Sequence, residues 1–459
     1  MSLRMRKLML RMHRFFGHFS PMQIIVLVFM MIILVGAGLL TLPISSNAGE
    51  VTPFLTSLFT ATSATCVTGL TLVDTCRYWS GFGQAVILVM IQVGGLGFMT
   101  VAALFFFALN RKIGLKGRML MAQSLGLDSL SGIVRMVSKI LKRTLILEGL
   151  GAAILTIRFC FQMPFLKALW WGVFHSVSMF CNAGFDVMGA VEEGGSLINY
   201  VHDPVVSFTV MMLIVVGGLG FFVWDDILRN RRFSDYTIHT KLVLIITSIL
   251  IFGGAAVYAM LEWTNPTTIG SLPLGEKIMA CLFQSVTTRT AGAYTIAQGT
   301  LHSTSKAFTC VLMFIGGSSG STAGGVKTVT MGVLLLSVLA TARGRSRVTV
   351  FHRTISAKQV SDAVSVVVMV FTALLTGAMI ISATNNLDFI DCIYETSSAI
   401  ATVGLSTGIT PTLNALSRVV IIILMFFGRV GVMTISLGFL LSNQAEERYH
   451  HAETKVLIG

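Results

Sequence analysis

Long apolar runs alternate with short polar and often basic segments along nearly the whole chain, a pattern that predicts helices of membrane-crossing length. A hydrocarbon core of about 30 Å takes roughly 20 helical residues. Eight runs qualify, at about 22–42, 84–109, 144–162, 205–224, 241–262, 307–340, 362–384 and 418–441. Shorter apolar stretches such as 55–63 and 392–399 lie between paired runs and read as half-helices that dip in and turn back. The fold class is therefore an all-α membrane protein of eight transmembrane helices, with no soluble domain evident.

Composition agrees. Of 459 residues, 54% are hydrophobic and 12% charged, so most of the chain faces lipid or a lipid-embedded core. Membrane lipid is its first partner. The opening basic segment, with Arg4, Arg6, Lys7, Arg11 and Arg14, is signal-like, but the run behind it is too long and lacks a small-x-small cleavage site. It is read as a true helix. The segments 1–22, 110–144, 225–241, 341–361 and 442–459 together hold 24 of the 33 Lys and Arg residues. By the positive-inside rule both termini are cytoplasmic, in a multi-pass protein of the cytoplasmic membrane. The net charge of +13 thus reads as topology, and no basic groove separable from these loops calls for nucleic acid. Trp79, Trp170, Trp171 and Trp263 fall at outer run ends and Trp224 at an inner one, as an aromatic belt does. The seven cysteines lack metal-ligand spacing and read as small buried hydrophobes.

A four-fold repeat underlies the pattern. The segments Thr65-Cys66-Val67-Thr68-Gly69, Phe180-Cys181-Asn182-Ala183-Gly184, Thr288-Arg289-Thr290-Ala291-Gly292 and Ile400-Ala401-Thr402-Val403-Gly404 each follow a half-helix and end in glycine. An echo lies 25, 33, 24 and 24 residues further on, counted to its first glycine: Val93-Gly94-Gly95-Leu96-Gly97, Val216-Gly217-Gly218-Leu219-Gly220, Ile315-Gly316-Gly317-Ser318-Ser319-Gly320 and Phe427-Gly428-Arg429-Val430-Gly431. The longer second interval contains a polar outer loop around Glu192 and Glu193. Each unit reads as a helix going out, a pore loop and a helix returning. The organisation is a basic N-terminus 1–21, repeat one 22–109, a cytoplasmic linker 110–143, repeat two 144–224, a loop 225–240, repeat three 241–340, a loop 341–361, repeat four 362–441 and a C-terminus 442–459. The echo has two readings, functional or a set of small residues that lets helices approach closely.

The chemistry of the first motif is that of a cation filter. A dehydrated cation needs oxygen ligands, and backbone carbonyls supply them where glycine lets the chain turn them inward without adding a side chain. The candidate K⁺ filter comprises Thr65 to Gly69, Cys181 to Gly184, Arg289 to Gly292 and Ala401 to Gly404. The partly negative C-termini of the preceding half-helices favour cations there. In the sixth run, Gly316, Gly317, Ser318, Ser319, Gly320, Ser321, Thr322, Ala323, Gly324 and Gly325 form a stretch too rich in glycine for a continuous helix. Its hydroxyls offer partners to the freed backbone while the segment occludes the pore. A phosphate-cradle reading fails because Val326 separates Gly325 from Lys327. Arg429 replaces the second echo glycine within an apolar run, where arginine is costly and by default faces a cavity or a partner. It either pairs with the 316–325 segment and opposes cations, or forms an ion pair with Glu395 or another acid.

These features resemble the superfamily of K⁺ transporters that includes the Trk, Ktr and plant HKT proteins, most closely the Ktr-type membrane subunit. The resemblance covers roughly 20–441, and 59–64 and 401–405 carry much of it. It implies K⁺ as the transported ion, Na⁺ as an activator, a homodimer with one pore per subunit, and a cytosolic nucleotide-binding regulatory subunit of the KtrA-like kind. It makes 316–325 the intramembrane gating loop and puts Arg429 near the pore beneath the filter. In this superfamily a serine in the first filter position goes with Na⁺ preference, and here all four positions are glycine, which favours K⁺. Two rivals stay open: an Na⁺-selective or Na⁺-coupled carrier, and a membrane-embedded enzyme. The enzyme would need convergent His, acid or Cys groups, and no nucleophile-base or metal spacing appears.

Overall fold

The computed structural model describes residues 21–97, 133–190, 196–345 and 347–431. The expected N-terminal segment, the outer loop at Glu192 and Glu193, most of the first linker and the C-terminus lie outside the described residues. Among the described residues the regular structure is almost wholly helical, with one two-stranded hairpin.

Fifteen helices carry the described fold. They are α1 (Pro21–Thr41), α2 (Phe54–Cys66), α3 (Gly81–Leu96), α4 (Ile133–Cys160), α5 (Phe165–Phe180), α6 (Pro204–Leu219), α7 (Phe221–Arg229), α8 (Ile238–Ser248), α9 (Gly254–Glu262), α10 (Leu274–Thr287), α11 (Ser303–Phe314), α12 (Thr328–Ala342), α13 (Ala357–Asn385), α14 (Phe389–Ala401) and α15 (Ala415–Val430). A one-turn helix, Thr75–Tyr78, precedes α3, and a π-helical stretch, Ile249–Gly253, joins α8 to α9. Among the described residues three helices are long and apolar enough to cross a membrane: Gln23–Thr41, Ile238–Glu262 and Ala357–Asn385.

Polarity runs from inside to outside in the reverse of a water-soluble protein. Leu166, Phe161 and Met260 are about four-fifths exposed, whereas Ser63, Thr65, Ser178, Gln284, Thr287 and Ser398 are buried around the short helices. Hydrocarbon outside and hydrogen-bonding groups inside is the arrangement a lipid solvent selects. The packing order is cyclic. Helix α2 packs on α1 and α3, α5 on α4 and α6, α10 on α9, and α14 on α13 and α15. Each returning helix also meets the next short helix: α3 meets α5, α6 meets α10, α11 meets α14, and α15 closes on α2.

The returning helices break at glycines within the predicted runs, of which 98–109 and 432–441 lie outside the described residues. The runs 84–109, 205–224 and 418–441 read as continuous spans, yet α3, α6 and α15 end one residue before Gly97, Gly220 and Gly431. Those glycines have φ of 76°, 98° and 90° with ψ of 136°, 143° and 126°, a region open essentially to glycine. After Gly220 the chain bends by 93° into α7. The run 307–340 likewise divides into α11 and α12, as its glycine content predicts.

The first echo glycines explain why the helices come so close. A Cβ on Gly94 would lie 1.9 Å from the Thr65 carbonyl oxygen, on Gly217 2.0 Å from that of Phe180, and on Gly428 2.0 Å from that of Ile400. Each contact is to the residue four before a filter glycine, so the packing reading of the echo holds in those three units. In the third unit Gly316 instead meets Gly324 of its own loop.

A small hairpin pairs Thr349–Val350 with Arg353–Thr354 across Phe351 and His352, both at positive φ of 46° and 62°. Lys241 stacks on Phe351 and on Phe233, joining this hairpin to the segment before α8.

Gly428→Ala is expected to lower the thermal unfolding midpoint of the detergent-purified protein, since overpacking a tight contact costs ~1–3 kcal/mol. Gly38→Ala, whose Cβ meets nothing within 4 Å, is expected to leave it unchanged. Equal midpoints for both variants would rule out the close approach as a constraint on the fold.

Candidate functional site

The four short helices α2, α5, α10 and α14 end in one shared conformation. Val67, Asn182, Thr290 and Thr402 sit at φ of 58°, 59°, 73° and 52°, and two residues later Gly69, Gly184, Gly292 and Gly404 sit at 94°, 68°, 81° and 94°. Left-handed backbone costs about 1–3 kcal/mol in a non-glycine residue, most in β-branched ones, and persists only where surrounding bonds over-determine it. Those bonds are present. Thr68 N–H donates to Ser63 O (2.8 Å), Ala183 N–H to Ser178 O (2.7 Å), Val403 N–H to Ser398 O (2.8 Å) and Ala291 N–H to Thr287 O (2.9 Å).

Side-chain hydroxyls tie the strands further. Gly69 N–H donates to Ser63 Oγ (3.1 Å) and Gly404 N–H to Ser398 Oγ (2.9 Å). In the other two units the hydroxyl donates instead, Ser178 Oγ to Phe185 O (2.6 Å) and Thr287 Oγ1 to Ala293 O. These four scaffolding residues escaped the sequence reading, although a serine six residues before the glycine in three of four units was the available signal.

The four segments close into a ring. A Cβ on Gly69 would stand 2.4 Å from Ala183 O, on Gly184 2.8 Å from Ala291 O, on Gly292 2.4 Å from Val403 O, and on Gly404 2.2 Å from Thr68 O. Each glycine thus packs its bare Cα against the carbonyl preceding the next glycine, in chain order and back to the start. All four line one cavity of about 640 Å³. Thr68, Ala183, Ala291, Val403 and the glycines therefore converge.

The earlier residues of each segment do not line that cavity. Thr65, Cys66, Val67, Asn182, Thr290, Ala401 and Thr402 are buried in packing. Cys181 Sγ abuts Gly95 of α3. Asn182 Nδ2 donates to Thr290 Oγ1 (3.3 Å), joining the second and third segments. Arg289 is buried at the position held elsewhere by Cys66, Cys181 and Ala401.

The glycine-rich loop joins α11 to α12 and packs against the ends of the short helices. Gly316 N–H donates to Val326 O (2.9 Å) and Thr328 N–H to Gly317 O (3.1 Å), closing the loop on itself. Ser318 and Thr322 N–H donate to Gly218 and Gly217 O (3.0 and 3.3 Å), and Phe221 N–H donates to Gly320 O (2.8 Å). Thr322 Oγ1 donates to Phe180 O (3.2 Å), and Ser321 Oγ donates to Ser318 O (2.7 Å) while accepting from Ala323 N–H (3.2 Å). Gly220 and Ser319 pass in close backbone contact. A Cβ on Gly324 would reach Thr402 Oγ1 at 2.0 Å, and Gly325 packs on Gly316 and Ala401. Lys327 Nζ donates to Ala323 O (2.7 Å).

Arg429 completes this layer. Its guanidinium donates to Thr322 O of the loop and to Gly94 O and Gly95 O (3.1 Å to the latter) at the end of α3. The ion-pair alternative with Glu395 is not what forms: the Glu395 carboxyl accepts from Ser406 and Thr410. A buried guanidinium here serves carbonyl oxygens at helix ends, which carry partial negative charge.

A family profile described as TrkH, cation transport protein, matches residues 20–448. The chain is 39% identical to the potassium/sodium uptake protein NtpJ of Enterococcus hirae, over 96% of this chain and 97% of that one. It is also 39% identical to the Ktr system potassium uptake protein B of Bacillus subtilis (95% and 96% covered), and 35% identical to the protein of the same description from Vibrio alginolyticus (95% and 94%). The fold is similar to the crystal structure of the potassium transporter TrkH from Vibrio parahaemolyticus, with a TM-score of 0.70, 17% identity, and 92% of this chain and 85% of that one covered.

Arg429→Ala removes three donors from Thr322, Gly94 and Gly95, and is expected to speed amide hydrogen exchange across 316–325 in the purified protein. Unchanged exchange there would show that the arginine does not hold the loop.

Proposed function

The chain belongs to the TrkH family of cation transport proteins, and on that premise we propose that it takes up K⁺ through a single pore whose filter is the ring of Gly69, Gly184, Gly292 and Gly404. The observation that carries this reading is the closed set of glycine-to-carbonyl contacts around one cavity. Such a ring presents backbone oxygens to a cation, and no side chain at the glycine positions narrows it. Three of the relatives are named as potassium or potassium/sodium uptake proteins, which supports K⁺ as cargo. The same family membership favours a transporter over an enzyme.

The finer architecture we infer is eight spans in four units of helix, pore loop and helix, with the boundaries given above and both termini in the cytoplasm. The cyclic packing of returning helices on short helices supports it. The 316–325 loop is the gate, held by Arg429 across the inner end of the filter, and Lys327 fastens its far end through a bond to Ala323 O. Homodimerisation and a cytosolic nucleotide-binding regulatory subunit belong to the same reading, since two of the relatives are described as components of a Ktr system. Na⁺ enters as activator. The rival, Na⁺ as cargo, is favoured by the name of the Enterococcus hirae relative.

Uptake assays in cells dependent on this protein at low external K⁺ test the filter. Gly69→Ser introduces a side chain where the backbone has φ of 94° and Ala183 O stands 2.4 Å from the Cβ position. It is expected to raise the half-saturating K⁺ concentration by about tenfold, equivalent to ~1.4 kcal/mol, and to reduce discrimination against Na⁺. Unchanged affinity and selectivity at matched abundance would refute the filter assignment.

The gate has its own test. Shortening 316–325 is expected to raise K⁺ flux, as is Arg429→Ala, and the two effects are expected to be non-additive because they act on one closed arrangement. Additive effects, or lower flux in a loop deletion that still inserts, would make this segment a packing element.

A further inference from the structure

Behind the fourth filter segment lies a carboxyl group with no part in the ring itself. Glu395 sits on α14, fully buried, nine residues before Gly404. One of its oxygens accepts from Ser406 Oγ and the other from Thr410 Oγ1 (2.9 Å). The two hydroxyls also touch each other (2.9 Å), and Ser406 Oγ accepts from Gly408 N–H (2.9 Å). Ser406 and Thr410 line the cavity onto which the four glycines open. The carboxyl therefore grips the strand that leaves the filter, two and six residues past its glycine.

The corresponding positions in the other units lack such a grip. Thr60 Oγ1 has no hydrogen-bond partner among the described residues. His175 Nε2 receives only a long contact from Val187 N–H (3.5 Å). The third unit has Phe283. Its outgoing strand is held otherwise, by Gln284 and Gln298 paired at 2.6 and 3.0 Å, and Tyr394, beside Glu395, donates to Gln298 Oε1 (2.8 Å). The second unit's outgoing strand is held differently again, by Ser178 Oγ on Phe185 O and by the Asp186 carboxyl accepting from Met188 N–H (3.0 Å), so among the described residues only the fourth unit has an acid on the short helix that reaches two hydroxyls of the strand.

Bonds from hydroxyls to a carboxylate are short and strong, and in a buried site they fix geometry that neutral contacts leave loose. No cation pairs with Glu395 among the described residues, so hydrogen-bond donors of the outgoing strand, the Ser406 and Thr410 hydroxyls and the Thr407 backbone, stabilise the group. We propose that Glu395 is a positioning residue for ion selection: through Ser406 and Thr410 it fixes the Val403 and Gly404 carbonyls at a spacing that fits K⁺ and not Na⁺. The proposal rests on the reading of the ring as a K⁺ filter.

The full-length protein, reconstituted in liposomes or expressed in cells lacking other K⁺ uptake, gives the test. Glu395→Gln removes one acceptor and adds a donor facing a hydroxyl. It is expected to raise the half-saturating K⁺ concentration about tenfold and to lower the K⁺/Na⁺ ratio, with maximal rate changed less than about twofold. Ser406→Ala is expected to shift both quantities in the same direction, and the double variant to be no worse than the more affected single one. Unchanged affinity and selectivity, or a fall in maximal rate alone, would overturn the proposal. If Glu395→Gln fails to accumulate, Ser406→Ala and Thr410→Val report on the same brace from the cavity side, and normal selectivity in both would overturn it equally. Absence of K⁺ uptake by the unaltered protein would instead defeat the filter reading.

Discussion

Everything in this fold is arranged around a contact that tolerates no side chain: four backbone segments meeting Cα against carbonyl, each glycine within reach of the oxygen before the next. Such a contact is weak in itself, and the cost of converging four sets of carbonyl oxygens is high unless each strand is held from behind. The short helices supply that support through the hydroxyls of Ser63, Ser178, Thr287 and Ser398. In three of the four units the returning helices supply it through the first echo glycine, which lets a helix lie against the carbonyl four residues before the ring. Two glycine motifs far apart in sequence thus solve one steric problem, the first at the ring and the second behind it.

The consequence for polarity is a protein whose hydrogen-bonding capacity lies at its centre. Buried threonines and serines crowd the short helices, while leucines, phenylalanines and methionines cover the outside. Helix ends are exposed to this interior, and two of them are answered by a specific group. Phe180 O is met by Thr322 Oγ1, and the end of α3 by Arg429. A lone arginine among apolar residues is thereby accounted for by carbonyls at the ends of helices and not by an acid.

Much of the site was legible because its requirement is the absence of a side chain, and glycine states that directly in sequence. Hydropathy finds apolar segments, three of which the described residues carry as helices long enough to cross a membrane, but it carries no information on φ. The spans beginning at 84, 205 and 418 therefore read as continuous, whereas Gly97, Gly220 and Gly431 end their helices. A C-terminal glycine signal was present there, masked by the small-residue packing reading of the same motif. The bracing serines were less visible still, since one hydroxyl in a helix has many ordinary explanations and its role depends on a strand six residues away. The 349–354 hairpin could not be read, because its turn uses Phe351 and His352 where turn chemistry favours Asn and Gly.

The glycine-rich loop is bonded to more of the molecule than its length suggests. It is tied to α6 and α7 through Gly217, Gly218 and Phe221, to the end of α5 through Phe180, to α14 through the Gly324–Thr402 contact, and to Arg429 on α15. Arg429 in turn holds the end of α3. A segment fastened at so many points cannot leave by degrees, because releasing one bond gains little freedom while the others persist. On the reading of this loop as the gate, its departure would be cooperative, with two well-separated arrangements and few between them.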